Sequence, residues 1–127
     1  AVNVPVTVKC RLGWDKGSIN VLDFTKRMED NGAAMLTVHG RTRSMLYTGV
    51  ADWDMIAKVK QQLSVPVIAN GDIVDGETAV KCLKRTNADG IMIGRATFGN
   101  LIRLAVLSKS YVYASRSISK CRCRLSR

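Results

Sequence analysis

The chain has 127 residues, 46% of them hydrophobic and 24% charged, with a formal net charge of +10. That is an ordinary soluble globular composition for one compact domain. No apolar run approaches the ~20 residues that cross a bilayer, which excludes a membrane-spanning chain, and the first residues lack the basic stretch and long apolar segment of a secretory signal.

The elements alternate strand and helix. A first strand is expected over residues 5–11, with Thr7, Lys9 and Arg11 on one face and Val6, Val8 and Cys10 on the other. Ser18 suits the N-cap of a helix running to about Asn31, with Val21, Phe24 and Met28 as its apolar stripe and Gly32 at its C-terminal end. Residues 34–39 read as a second strand, and the loop 40–51 after it is long enough to act as a lid. Asp52 or Asp54 caps the next helix, whose Ile56, Val59 and Leu63 face inward. A third strand, residues 65–69, leads into Asn70-Gly71-Asp72. Asp75 caps a helix to about Arg85 with Val80 and Leu83 buried, and a fourth strand, residues 90–93, ends in Gly94-Arg95.

Such alternation demands a parallel sheet with right-handed crossovers, which a doubly wound sheet and an eight-unit barrel both satisfy. Polar residues stand at the C-terminal end of all four strands, where barrels gather their sites from several βα loops. A doubly wound sheet concentrates binding at one switch point. The expected fold class is therefore α/β, the (βα)4 half of a TIM barrel, since a full barrel takes ~250 residues. The half-barrel is expected over residues 1–100 and an atypical basic tail, helical or disordered, over residues 101–127. The chain starts without Met, close to its first strand, as an excised fragment would. Its two open edge strands would favour self-association.

The charge is uneven. Residues 1–100 carry 13 Lys and Arg against 10 Asp and Glu, whereas residues 101–127 carry seven basic residues and no acid. Such a tail attracts nucleic acid or anionic membrane, or is a solvated extension with no partner. The four cysteines, Cys10, Cys82, Cys121 and Cys123, form no disulfide framework and no zinc set, and a reducing cytoplasm is the simplest compartment.

Several residues carry chemistry. Lys9 faces the expected barrel lumen, where an ammonium calls for an anionic or carbonyl-bearing ligand unless its stem reaches water. His39, the single histidine, is expected at the same strand level as Lys9, one unit further round. It ends its strand beside Gly40-Arg41. Asn70-Gly71-Asp72 and Gly94-Arg95 lie one βα unit apart, the order in which these barrels bind phosphate through their last two βα loops. Glycine admits close backbone approach, and arginine grips phosphate with two donors. Tyr47, Trp53 and Phe98 could stack on a ring or pack.

The segment from Val4 to Arg11, His39-Gly40-Arg41-Thr42-Arg43, Tyr47-x-Gly49-x-Ala51-Asp52-Trp53, Ala69-Asn70-Gly71-Asp72 and Ala88-Asp89-Gly90-Ile91-Met92-Ile93-Gly94-Arg95 together resemble the tRNA-dihydrouridine synthases. The resemblance implies an FMN-binding barrel that uses NADPH to reduce uridine to 5,6-dihydrouridine in tRNA. It implies that Lys9 and His39 lie beside the flavin, that Asn70, Gly71, Asp72, Gly94 and Arg95 hold its ribityl phosphate, and that Arg41 contacts substrate. It implies no metal. The family's proton-donating cysteine stands in an Asn-x-x-Cys-Pro-like segment that this chain lacks, so no catalytic residue is assigned and the isolated chain is expected to be inactive. The family pattern stops near Gly99-Asn100, and the tail reads as an aberrant, for example frame-shifted, extension. The competing readings are a noncatalytic phosphate- or flavin-binding module and another FMN-dependent barrel oxidoreductase.

Overall fold

Alternating apolar residues in each strand decide which way the sheet faces. The structure, a computed structural model, describes residues 3–98, so the expected tail lies outside the described residues. In chain order it contains β1 (Thr7–Arg11), α1 (Val21–Asp30), β2 (Met35–His39), α2 (Trp53–Gln62), β3 (Val67–Asn70), α3 (Gly76–Thr86), β4 (Gly90–Met92) and a short 3-10 turn, Arg95–Thr97. The strands lie in the order β1-β2-β3-β4, and each adjacent pair is parallel. All four therefore end at the same edge of the sheet.

Leu36, Val38, Val67 and Ala69 are buried against the helices with Val21, Ile56, Val59, Ala79 and Cys82, and Val8, Cys10 and Ile91 pack at the margin of that core. Burying a Val, Leu or Ile side chain in full contributes roughly 1.5–3 kcal/mol, so this face fixes the strand register. Period-two alternation then sends Lys9, Arg11, Thr37, His39 and Asn70 to the opposite face. Two helix threonines are buried in the core as well, because each hydroxyl donates to a carbonyl one turn back: Thr25 to Val21 at 2.7 Å and Thr86 to Cys82 at 2.8 Å.

Helix ends follow the sequence at α2 and α3 and depart from it at α1. Asp52 accepts from the Met55 N–H at 2.8 Å, and Asp75 forms a reciprocal capping box with Thr78. Ser18 does not cap α1. Its hydroxyl donates to Asp15 at 2.8 Å, and the helix starts at Val21 after an Asn20 whose side chain makes no capping bond. Gly32 ends α1 as expected: at φ +88°, its N–H donates to the Glu29 carbonyl and the next N–H to that of Met28, a Schellman closure.

Two further expectations need correction. The third strand begins at Val67, not Val65, because the Ser64 and Val65 N–H groups donate to the Glu29 carboxylate and Pro66 has no N–H to offer the ladder. In α3, Val80 is 41% exposed and the buried stripe is Ala79, Cys82 and Thr86. The helix turns its smaller side chains toward the sheet. Ile56 is wholly buried at the centre of the core, so Ile56→Ala is expected to cost about 2–5 kcal/mol, read from the urea midpoint at unchanged slope.

Candidate functional site

Because all strands end at one edge, the polar face and the turns beyond it enclose a cavity of about 690 Å³. Lys9 reaches it from β1, His39 and Arg41 from the end of β2, Asn70 from β3, and Gly71, Asp72, Gly94 and Arg95 from the turns after β3 and β4. The structure thus brings together all eight residues to which the resemblance gave a site role, while Trp53 does not line the cavity. The two glycine corners border the same space.

The strand levels differ from expectation. His39 pairs with Arg11 on one side and Asn70 on the other, while Lys9 pairs with Thr37. Lys9 is the third residue of its strand and His39 the fifth, so the parallel ladder places the lysine two pairs deeper.

A buried ion pair organises the cavity wall. Arg41, 2% exposed, donates Nη2 to Asp72 Oδ1 at 2.6 Å. It also donates Nε to the Thr48 carbonyl at 3.0 Å and Nη2 to the Gly49 carbonyl at 2.7 Å. The second Asp72 oxygen accepts from the Ala51 N–H at 2.7 Å. Both residues therefore fasten the loop 40–51 to the β3 corner, and the expected lid is pinned along its return path. Burial pushes the Asp72 carboxyl up, but the Ala51 N–H and the Arg41 guanidinium outweigh it and leave it below the usual carboxylate range. Arg41 Nη1 is buried and makes no hydrogen bond, an unusual state for a guanidinium.

His39 is buried at the foot of this wall. Desolvation foremost, then the charges of Arg11, Lys9 and Arg41, push its imidazole down to about 4, with Asp72 opposing. At neutral pH it is an uncharged ring. Its edge packs on Gly71, where an added Cβ would come 2.8 Å from Ala51 Cβ and 2.9 Å from His39 Cδ2, at φ +115°. Gly71 is thus demanded by internal packing alone, before any ligand contact is considered. Gly94 differs, since an added Cβ there meets no described atom within 4 Å, and its corner lies open.

Other side chains serve the frame. Asn70 donates Nδ2 to the Met92 carbonyl at 2.7 Å, tying the ends of β3 and β4. Trp53 packs against the core and donates to the Gly71 carbonyl at 3.0 Å, so it is not a free stacking platform. Arg11 donates to the Thr42 and Leu46 carbonyls at 2.8 and 3.0 Å. No short-range pattern in the sequence announces this contact across more than thirty residues. Burial raises the Cys10 and Cys82 thiols to about 11, and both pack with the helix-side core, away from the cavity.

A family model described as Dihydrouridine synthase (Dus) matches residues 1–122 and so runs into the basic tail. A probable tRNA-dihydrouridine synthase 1 of Synechocystis sp. is 60% identical over 99 residues, 78% of this chain and 28% of that protein. tRNA-dihydrouridine synthase B of Pasteurella multocida is 54% identical over 100 residues, 79% of this chain and 30% of that protein. The chain spans less than a third of the length of these two relatives. Among solved structures, (S)-3-O-geranylgeranylglyceryl phosphate synthase of Thermoplasma acidophilum superposes with TM-score 0.58 at 19% identity, over 84% of this chain and 48% of that one. A mandelate oxidase variant gives TM-score 0.58 at 20% identity, over 89% and 46%. These likenesses show the fold, four βα units of a TIM barrel.

Two measurements check the site. His39 is the only histidine, so its ring resonances titrate without overlap, with a midpoint expected near pH 4. Its folded pKa lies below the unfolded value of ~6.5, so its share of stability is full above ~6.5 and is lost as pH falls toward 4. Arg41→Ala should destabilise the fold near the lower end of the roughly 3–5 kcal/mol for a broken buried pair, because Asp72 keeps 30% exposure. Asp72→Asn retains one acceptor and should cost less; equal losses in denaturant unfolding would contradict this account.

Proposed function

The chain belongs to the dihydrouridine synthase family, and from that membership we propose that it forms the C-terminal half of the catalytic barrel of an FMN-dependent tRNA-dihydrouridine synthase. The parent activity is reduction of uridine to 5,6-dihydrouridine in tRNA with NADPH, in the cytoplasm. No helix among the described residues is long and apolar enough to cross a membrane. The observation that carries the cofactor is the convergence of the Gly71 and Gly94 corners on one cavity that Lys9 and Arg95 also border.

The residues present fit a phosphate-bearing flavin. Among the described residues the Gly94 corner is open and Arg41 Nη1 is a buried donor without a partner, while Arg95 offers a two-donor grip at the side of that corner. When bound, FMN would supply the hydride for the C5–C6 bond of uracil. Lys9 would place a cation beside the flavin ring, where electron density builds on reduction. His39, neutral at working pH, would act there as a hydrogen-bonding ring and not as a second cation. Asn70, Gly71, Asp72, Gly94 and Arg95 would hold the ribityl phosphate. Asp72 would contribute through its backbone, because its carboxylate is anionic and already engaged by Arg41 and Ala51. Arg41 would stabilise the loop and keep one donor for substrate.

The proton for the second uracil carbon must come from elsewhere. Cys10 and Cys82 lie on the helix side with thiols near 11, so neither is poised as an acid toward the cavity. The isolated chain should therefore bind flavin without turnover. Titrating the 127-residue chain with FMN and with riboflavin, followed by flavin fluorescence, tests the reading. Arg95→Ala should weaken FMN about tenfold or more, the value of a lost charged hydrogen bond, and leave riboflavin unchanged. Equal affinity of the wild-type chain for FMN and riboflavin would overturn the phosphate assignment. NADPH oxidation with unmodified tRNA would overturn the missing-donor assignment.

A further inference from the structure

Tyr47 is an aromatic residue with no place in the core. It is 58% exposed, yet the backbone on both sides of it is gripped. Arg11, from β1, donates to the Leu46 carbonyl at 3.0 Å, and Arg41 donates to the Thr48 carbonyl at 3.0 Å. Leu46 is held at φ +50°, a left-handed conformation that leucine seldom adopts and that persists where the surroundings impose it. Two turn bonds, Leu46 N–H to Arg43 and Thr48 N–H to Met45, complete the bracket. Two guanidiniums and a strained residue thus fix the backbone from which one exposed ring projects.

That ring carries a cation. The Arg95 guanidinium lies 4.4 Å from the Tyr47 ring centroid, within the range of an attractive cation–π contact. Arg95 comes from the turn after β4, while Tyr47 comes from the loop after β2; both border the cavity. Asp72, whose carboxyl feels the Arg95 charge, is already committed to Arg41 and Ala51. We propose that Tyr47 is a positioning residue: its ring holds the Arg95 guanidinium over the cavity, ready for the anionic headgroup of the ligand. An unrestrained arginine in a turn loses side-chain freedom when it binds, and a stacked one has lost much of it beforehand. The loop of the second βα unit thereby sets the anion grip of the fourth. This inference rests on the flavin-phosphate reading above.

The test separates the two. In the wild-type chain the Arg95 Nε–H resonance should be shifted upfield by the ring, and Tyr47→Leu should abolish that shift. Tyr47→Leu should weaken FMN by roughly two- to fivefold, as loss of an exposed cation–π contact implies, and leave riboflavin affinity unchanged. Tyr47→Phe keeps the π face and should restore both the shift and the FMN preference. A wild-type chain that prefers FMN, with Tyr47→Leu weakening both flavins equally or neither, overturns the positioning role alone. An unshifted Arg95 resonance in the wild-type chain also overturns it. A wild-type chain indifferent to the phosphate sinks the underlying reading instead.

Discussion

The ion pair between Arg41 and Asp72 is the interaction on which the rest of the cavity depends. A guanidinium that is 2% exposed is costly to bury unless its donors meet acceptors, and here one carboxylate and two backbone carbonyls meet it. Because those carbonyls belong to the loop after β2 and the carboxylate to the turn after β3, folding the charge inside also folds the loop. The Ala51 N–H closes the circuit on the other Asp72 oxygen. With the loop returned, Ala51 and His39 both crowd position 71, where only glycine leaves room for them.

The same arrangement sets the electrostatic character of the site. Lys9, Arg11 and Arg41 act together on His39 and, with its burial, keep it neutral. Positive charge at the strand ends is therefore carried by Lys9 and the two arginines, while the imidazole remains a dipole. A cavity lined this way suits an anionic or carbonyl-rich occupant. Asp72 balances Arg41 in the cavity wall, and other acids serve the frame away from it. Glu29 accepts from the Ser64 and Val65 N–H groups below β3, Asp89 meets Lys60 and the Val67 N–H, and Asp54 pairs with Arg85 between α2 and α3.

Much of this was legible in the residues themselves. Strand alternation placed Lys9 and His39 on the cavity face, and Asp52 and Asp75 marked the helix starts because a capping carboxylate acts within three residues of itself. The features that escaped depend on partners far apart in the chain. Ser18 had the right chemistry for a cap, and a nearby aspartate took its hydroxyl. Val80 looked like core until Ala79 and Cys82 proved to be the residues facing the sheet. The reason for Gly71 was also hidden: its missing Cβ makes room for Ala51 and His39, and only their approach reveals it. Arg41 carries the same lesson, since its carbonyl and carboxylate partners lie seven to thirty-one residues away and no local pattern marks them.

The sequential strand order has a consequence for how such a chain acquires its structure. Each strand pairs with the next one along the polypeptide, so no pairing waits for a distant segment and every closure spans one helix and its connections. Contact order is low for a parallel sheet, and the entropy of closure is met one unit at a time. A βα pair that has docked offers an edge on which its successor can assemble. The Arg41–Asp72 contact joins the second unit to the third, so the two are linked by an ion pair as well as by their strands.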